Sequence, residues 1–337
     1  MFHNEGVMMG QFAHDFDRRG FLRAAAAGTV AIGAATFAGA LPAAAQTPGP
    51  GAQQHGAGLS IPRDAIGIQL YSVRDKVYQL GFRVVFEELS RMGFKEVEFA
   101  GYTQDPSILG RQITLQEIRT LLDDNGLRAI GSHIGIGSFR SNLQQELDHA
   151  QTLGMPNIGT PNAPSDTATV AGYQAAAEDF NRWGAAASAR GLKLYQHNHW
   201  AEFAFASDQP AVRLYDVFLE NTDPAHVYLE MDVYWAFVGQ YRYPGFDPAA
   251  YVREHPYRYT LFHMKDGKSD PNVGDGYDMT EFGAGDMPYE RFIHAIGPFG
   301  NHHGIWEQDT APGTQPNPPG SFGAAQRSYT ALADLLS

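Results

Sequence analysis

Apolar and polar positions in this chain follow two periods that take turns. Phe82, Val85, Phe86, Leu89 and Met92 recur at the spacing of one helix face, as do Leu115, Ile118, Leu121 and Leu122. Such stretches end at a glycine, and a short apolar run follows at once. Four copies stand out: Met92-Gly93-Phe94 before Glu96-Val97-Glu98-Phe99, Asn125-Gly126-Leu127 before Ala129-Ile130-Gly131, Leu153-Gly154-Met155 before Asn157-Ile158-Gly159, and Arg190-Gly191-Leu192 before Lys193-Leu194-Tyr195. Glycine there suits the left-handed residue that ends a helix, with the next apolar residue packing back on the last turn. Two helix starts are marked as well, because Thr114 with Glu117 and Ser141 with Gln144 have the spacing of a capping box.

Strands alternating with helices predict parallel pairing through βαβ crossovers. Eight strands are expected, near residues 66–70, 96–99, 129–132, 157–160, 193–197, 227–232, 260–264 and 304–307. Eight such units predict an α/β fold closed as a (β/α)8 TIM barrel rather than an open doubly wound sheet. Neither GxGxxG nor GxxxxGK with a following Ser or Thr comes after the first strand, which argues against dinucleotide and P-loop folds.

The first 45 residues obey a different grammar. Asp17-Arg18-Arg19-Gly20-Phe21-Leu22-Arg23 precedes an Ala-rich apolar run to Ala40, and Ala43-Ala44-Ala45 offers a cleavage site before Gln46. The paired arginines resemble a twin-arginine signal. The run is too short and too poor in Leu and Ile for a stable membrane span. Residues 1–45 are therefore expected to be a cleaved signal peptide, 46–60 a Gly/Pro/Gln-rich flexible leader, and 61–337 the catalytic barrel. The twin-arginine export machinery becomes an expected partner, with a periplasmic or secreted location and no stable membrane insertion after cleavage. That route moves folded proteins, which suits an enzyme loaded with metal in the cytoplasm.

Composition narrows the chemistry. With no cysteine, neither disulfides nor thiolate-bound metals contribute, so any metal sits on His, Asp or Glu. The formal net charge is −13, and it is unchanged when residues 1–45 are removed. An acidic chain of this kind argues against a nucleic-acid partner. A small-molecule sugar or glycoside is expected instead, and the pattern leaves both a monomer and an oligomer open.

Barrel active sites collect where strands end, and polar residues gather there. The relevant runs are Glu96-Val97-Glu98-Phe99, Ser132-His133-Ile134, Tyr195-Gln196-His197-Asn198-His199-Trp200, Glu230-Met231-Asp232, His263-Met264-Lys265-Asp266 and Trp306-Glu307-Gln308-Asp309. Singly, such a His is ordinarily a hydrogen-bonded structural residue and such an Asp the cap of the next helix. Together they bring two carboxylates and two imidazoles to one mouth. That donor mixture suits one divalent ion, Mn, Co, Zn or Fe, better than calcium.

Several phrases resemble signatures of the xylose isomerase-like TIM barrels known as sugar phosphate isomerase/epimerases. They are Gly67-Ile68-Gln69-Leu70-Tyr71-Ser72-Val73-Arg74-Asp75, Val97-Glu98-Phe99-Ala100-Gly101, His197-Asn198-His199, Glu230-Met231-Asp232-Val233-Tyr234-Trp235, His263-Met264-Lys265-Asp266 and Glu281-Phe282-Gly283-Ala284-Gly285-Asp286. The resemblance implies a divalent ion held by Asp232, His263 and Glu307, with His197 in the strand-five place. Epimerases of that family usually carry Glu there. His197 puts their two-glutamate proton exchange in doubt, and one-sided proton abstraction fits better. His197-Asn198-His199 with His263-Met264-Lys265-Asp266 resembles members acting on 3-keto-glycosides, which implies a lyase-type β-elimination beside a metal-polarised carbonyl.

Candidates for base and acid are His133, His199, Lys265 and Glu98. Glu98 also suits a salt bridge inside the barrel, and Lys265 a pairing with Asp266. Trp200, Tyr234 and Trp235, together with Phe237, are candidate sugar-stacking faces that equally suit packing. Alternative readings are an isomerase or epimerase of a free keto sugar, a non-catalytic periplasmic sugar-binding protein, and a metal-dependent phosphodiesterase or apurinic endonuclease. The last would need more metal ligands and a basic groove.

Overall fold

A computed structural model describes residues 61–298 and 301–337. The expected signal peptide, 1–45, and leader, 46–60, lie outside the described residues. Eight parallel strands build the sheet: β1 (Ile66–Gln69), β2 (Glu96–Phe99), β3 (Arg128–Ser132), β4 (Asn157–Thr160), β5 (Lys193–His197), β6 (Val227–Asp232), β7 (Tyr259–Met264) and, after a two-stranded hairpin of β8 (Asp266–Ser269) and β9 (Tyr277–Thr280), β10 (His303–Trp306). Their order is β3-β2-β1-β10-β7-β6-β5-β4. A parallel bridge between His133 and Gly159 joins the two ends, and Ile134 N donates to Gly159 O at 2.9 Å. The sheet therefore closes into a TIM barrel. No helix among the described residues is long and apolar enough to cross a membrane.

The strands are short, and both of their faces are covered. Every residue of β1, β2, β4 and β7 is buried, as expected where helices pack outside and side chains fill the inside. Gly93 and Gly154 end the helices Arg74–Met92 and Ile136–Leu153 in the left-handed region, with φ of 113° and 71°. Thr114 and Glu117 form both halves of a capping box at the helix Leu115–Asp124.

Ser141 does not start a helix. That helix begins at Ile136, whose N–H is satisfied at 2.9 Å by Asn162 Oδ1 from the loop after β4. Ser141 instead lies beside a kink at Asn142 (φ −136°, ψ 27°), and its hydroxyl donates back to Gly137 O at 2.8 Å. A cap supplied 26 positions away leaves no local signature.

Inside the barrel, Ile130, Tyr195, Leu261 and Ile305 form a small cluster separate from the main core, with Tyr228 packed against it. This apolar plug lies one strand period below the polar residues. The hairpin β8–β9 was not anticipated. It follows β7 directly, and the Asp266 carboxylate ties it down by accepting from the backbone N–H of Gly283 (2.9 Å) and Gly285 (3.2 Å).

Candidate metal centre

A strand turns every second side chain to the same face, and on four of the five strands that contribute to the plug the residues two and four positions later are polar. The series are Tyr195, His197, His199; Tyr228, Glu230, Asp232; Leu261, His263, Lys265; and Ile305, Glu307, Asp309. Together with Glu98 and His133 they form two charged layers over the plug that do not follow position in the strand: an outer one in which His197, His263 and Glu307 gather around Asp232, and an inner one around Glu98 and Glu230.

The outer layer holds the four expected ligands. One donor atom each from His197, Asp232, His263 and Glu307 lies within 4.8 Å of the other three. His263 Nδ1 is 2.7 Å from Glu307 Oε2 and 3.9 Å from Asp232 Oδ2, and His197 Nε2 is 3.8 Å from Asp232 Oδ2. Asp232 has two jobs. Its Oδ1 caps the helix Val233–Arg242 by accepting from Trp235 N at 2.9 Å, while Oδ2 is buried with no hydrogen-bond partner. A buried carboxylate oxygen without a hydrogen bond needs a nearby cation, and the nearest one among the described residues is the Lys265 ammonium at 3.3 Å. The two nitrogens and two oxygens together fit a divalent ion of intermediate hardness.

Lys265 also reaches this layer. Its Nζ lies 2.9 Å from Glu307, 3.3 Å from Asp232 and 3.4 Å from Asp309. The expected pairing of Lys265 with Asp266 does not form, because Asp266 turns to the backbone of the 283–287 loop. Burial works against the Lys265 charge, but Asp309, Glu307 and Asp232 outweigh it and hold its pKa well above normal. Burial raises Asp232 to about 6 despite Lys265 and His263.

The inner layer contains Glu98, His133 and Glu230. Glu230 Oε2 accepts from His133 Nε2 at 2.7 Å and His197 Nδ1 at 3.1 Å. Glu98 accepts from Gln69 Nε2 at 2.9 Å, from the Tyr195 hydroxyl and from His263 Nε2 at 2.6 Å. Glu98, for which both an acid/base role and an interior salt bridge are expected, is fully buried with its oxygens engaged, the arrangement of the salt-bridge reading, and it does not open onto the mouth. Burial, followed by the nearby Glu230 charge, pushes its pKa up. His133 retains slight exposure, with its Nε2 directed at Glu230 and Glu98 rather than at the outer layer.

His199 lies at the rim, half-buried. Burial and the Lys265 charge lower its imidazole to about 3, which leaves it neutral near pH 7. Its ring is 5.9 Å from that of Trp235, and Lys265 Nζ lies 5.6 Å from the Trp235 centroid. Trp235 is thus beside both groups, and its buried Nε1 has no partner.

The other aromatics are occupied. Trp200 is covered by Arg242, 3.9 Å from its centroid, and stacks on Tyr243 at 6.3 Å. Tyr234 is buried under the hairpin, with its hydroxyl donating to Tyr277 O at 3.3 Å and its ring so close to Gly267 of β8 that a Cβ there would lie 2.7 Å away. Phe237 packs edge-on against Phe292.

Two contributors escaped the sequence reading. Glu230 stands two residues before Asp232 on the same strand face, a period that could have revealed it. Glu202 is a buried carboxylate in a 3-10 turn that accepts from His199 N at 2.9 Å, with nothing local to mark it.

A closed parallel barrel with two imidazoles and two carboxylates at the strand ends defines a TIM barrel whose mouth could hold a metal ion. The xylose isomerase-like TIM barrel family model matches residues 86–326, well over half of the chain, and the protein belongs to that family. Among solved structures, two sugar phosphate isomerase/epimerases from Parabacteroides distasonis ATCC 8503 are similar. One is 25% identical with a TM-score of 0.59, covering 79% of this chain and 96% of its own. The other is 22% identical with a TM-score of 0.61, covering 84% and 96%. The IOLI protein with a binding zinc atom shares the fold at 11% identity and a TM-score of 0.61, covering 81% and 98%. Among curated proteins, none matches this chain significantly.

Proposed function

We propose that this protein is a divalent-metal-dependent carbohydrate enzyme that removes a proton beside a sugar carbonyl, acting on 3-keto-glycosides by β-elimination. The observation that carries the reading is the convergence of one donor atom each from His197, Asp232, His263 and Glu307 within 4.8 Å of one another, with Asp232 Oδ2 buried and without a hydrogen bond. A divalent ion bound by these four residues, Mn, Co, Zn or Fe, supplies a Lewis acid that polarises the carbonyl and acidifies the neighbouring C–H. The neutral His199 imidazole accepts the C2 proton. The C2–H electron pair becomes the C1–C2 double bond as the C1–O glycosidic bond breaks, and the Lys265 ammonium donates a proton to the departing oxygen. Trp235, beside both groups, offers the sugar a ring face and an indole donor.

The arrangement favours one-sided chemistry. Exchange of a proton across one carbon would use a second free carboxylate facing Glu307, whereas the strand-five position is His197, itself bonded to Glu230. Isomerisation or epimerisation of a free keto sugar is the second reading, supported by the 25% identical isomerase/epimerase structure.

Incubating metal-loaded protein in heavy water with a 3-keto-glycoside, and separately with its parent glycoside, separates these readings by NMR. Aglycone release from the keto compound alone is expected. Release from the parent would contradict the proposal. Deuterium uptake at one carbon of a free ketose, without aglycone release from the keto compound, selects the epimerase. Thermal protection by sugars without turnover selects a binding protein.

We further propose that residues 1–45 direct twin-arginine export, giving a periplasmic or secreted enzyme, and that the acidic chain engages no nucleic acid. Replacing Arg18 and Arg19 by Lys should retain the protein in the cytoplasm on cell fractionation. Unchanged export would refute the signal.

A further inference from the structure

We infer that Glu230 is a positioning residue for the metal centre: it holds His197 in the tautomer that carries its proton on Nδ1, so that the Nε2 lone pair faces Asp232 Oδ2. The inference rests on the metal-dependent reading above.

His197 is fully enclosed, so its ring nitrogens must find partners within the barrel. Nδ1 is 3.1 Å from Glu230 Oε2, and Nε2 is 3.8 Å from Asp232 Oδ2, too far for a hydrogen bond. The one geometrically sound bond therefore uses Nδ1 as donor to a carboxylate. Glu230 is pinned in turn, because the same Oε2 accepts from His133 Nε2 at 2.7 Å. The strands enforce the match, since His197 and Glu230 are register partners across β5 and β6. This also gives His133 a place in the account as the residue that fixes Glu230 from the β3–β4 seam. A carboxylate behind a ligating imidazole sets both ring orientation and donor strength, and its loss commonly costs ten- to a hundredfold in metal affinity.

The test measures Co2+ affinity by chelator competition, and the visible spectrum of the Co2+ protein, in wild type, Glu230→Gln and Glu230→Leu. The amide of Glu230→Gln keeps an acceptor for His197 without the charge, while Glu230→Leu keeps neither. Affinity in Glu230→Gln should stay within about fivefold of wild type, whereas Glu230→Leu should lose roughly ten- to a hundredfold and alter the spectrum. Equal losses would mean that charge alone matters, and an unaffected Glu230→Leu would mean that Glu230 does not position the ligand. Either outcome overturns the inference. If Glu230→Leu fails to fold, long-range 1H–15N spectra of the zinc-loaded wild type decide, with a His197 Nδ1–H expected and an Nε2–H contradicting it. Wild type that binds neither ion would sink the metal reading itself, a separate result.

Discussion

Lys265 Nζ lies 2.9 Å from Glu307 Oε2, with both side chains almost excluded from solvent. An ammonium thus already sits against carboxylates that a divalent ion would share. Replacing Lys265 by Met should leave Asp232 and Glu307 with less compensation, at a cost of about 3–5 kcal/mol to the metal-free protein. The same change should raise Co2+ affinity about tenfold or more, because the competing charge is gone. Activity should nevertheless fall by roughly a hundredfold or more through loss of the acid. Chemical denaturation with and without ion, beside chelator competition, checks all three directions.

Glu202 gives a stability signature against pH. Burial raises its pKa to about 7 from 4.5, so the folded chain keeps a proton that the unfolded chain has released between those values. Its contribution is complete below pH 4.5 and is lost as pH rises through about 7. Glu202→Gln retains an acceptor for His199 N but does not titrate. Its stability relative to wild type should therefore climb by up to about 3 kcal/mol between pH 4.5 and 8, measured by urea unfolding with chelator present. Parallel curves would contradict this.

The loop 281–287 depends on close contact with Asp266. A Cβ at Gly285 would lie 2.1 Å from Asp266 Oδ1, closer than any relaxed structure allows. Gly285→Ala should destabilise by about 2 kcal/mol or more, and so should Asp266→Ala. The double variant should cost less than the sum, since both break the same contact, and a denaturation cycle tests it.

Trp235 and Tyr234 are neighbours with different surroundings. Trp235→Phe should raise KM for a 3-keto-glycoside roughly five- to tenfold without changing metal content, because it removes the free indole donor. Tyr234→Phe removes a bond to Tyr277 O and should leave KM unchanged. Steady-state kinetics on both variants distinguishes them.

The barrel was legible because its strands are apolar runs buried on both faces, as with Ile66 and Ile68 or Val97 and Phe99, and glycines such as Gly93 and Gly154 mark where helices stop. The hairpin β8–β9 was not, since Lys268, Ser269 and Asp278 are exposed and its position depends on Asp266 reaching residues 283–287. The four expected donors stood at strand ends and the fold brings them together. Glu98 and Glu230 were harder to place because strand alternation shows which face a residue takes but not its depth. Only the pairing of His197 with Glu230 across β5 and β6, and the bond from His263 to Glu98, assign them to the inner layer.

The central claim is that His197, Asp232, His263 and Glu307 hold one divalent ion on which activity depends. Elemental analysis of purified protein, run beside activity before and after chelation, tests it most directly. The account predicts about one ion per chain, less than a tenth of that in Asp232→Ala and His263→Ala, and loss of activity on chelation that manganese or cobalt restores. A metal-free protein that remains fully active, or an Asp232→Ala variant that keeps its ion, would contradict it.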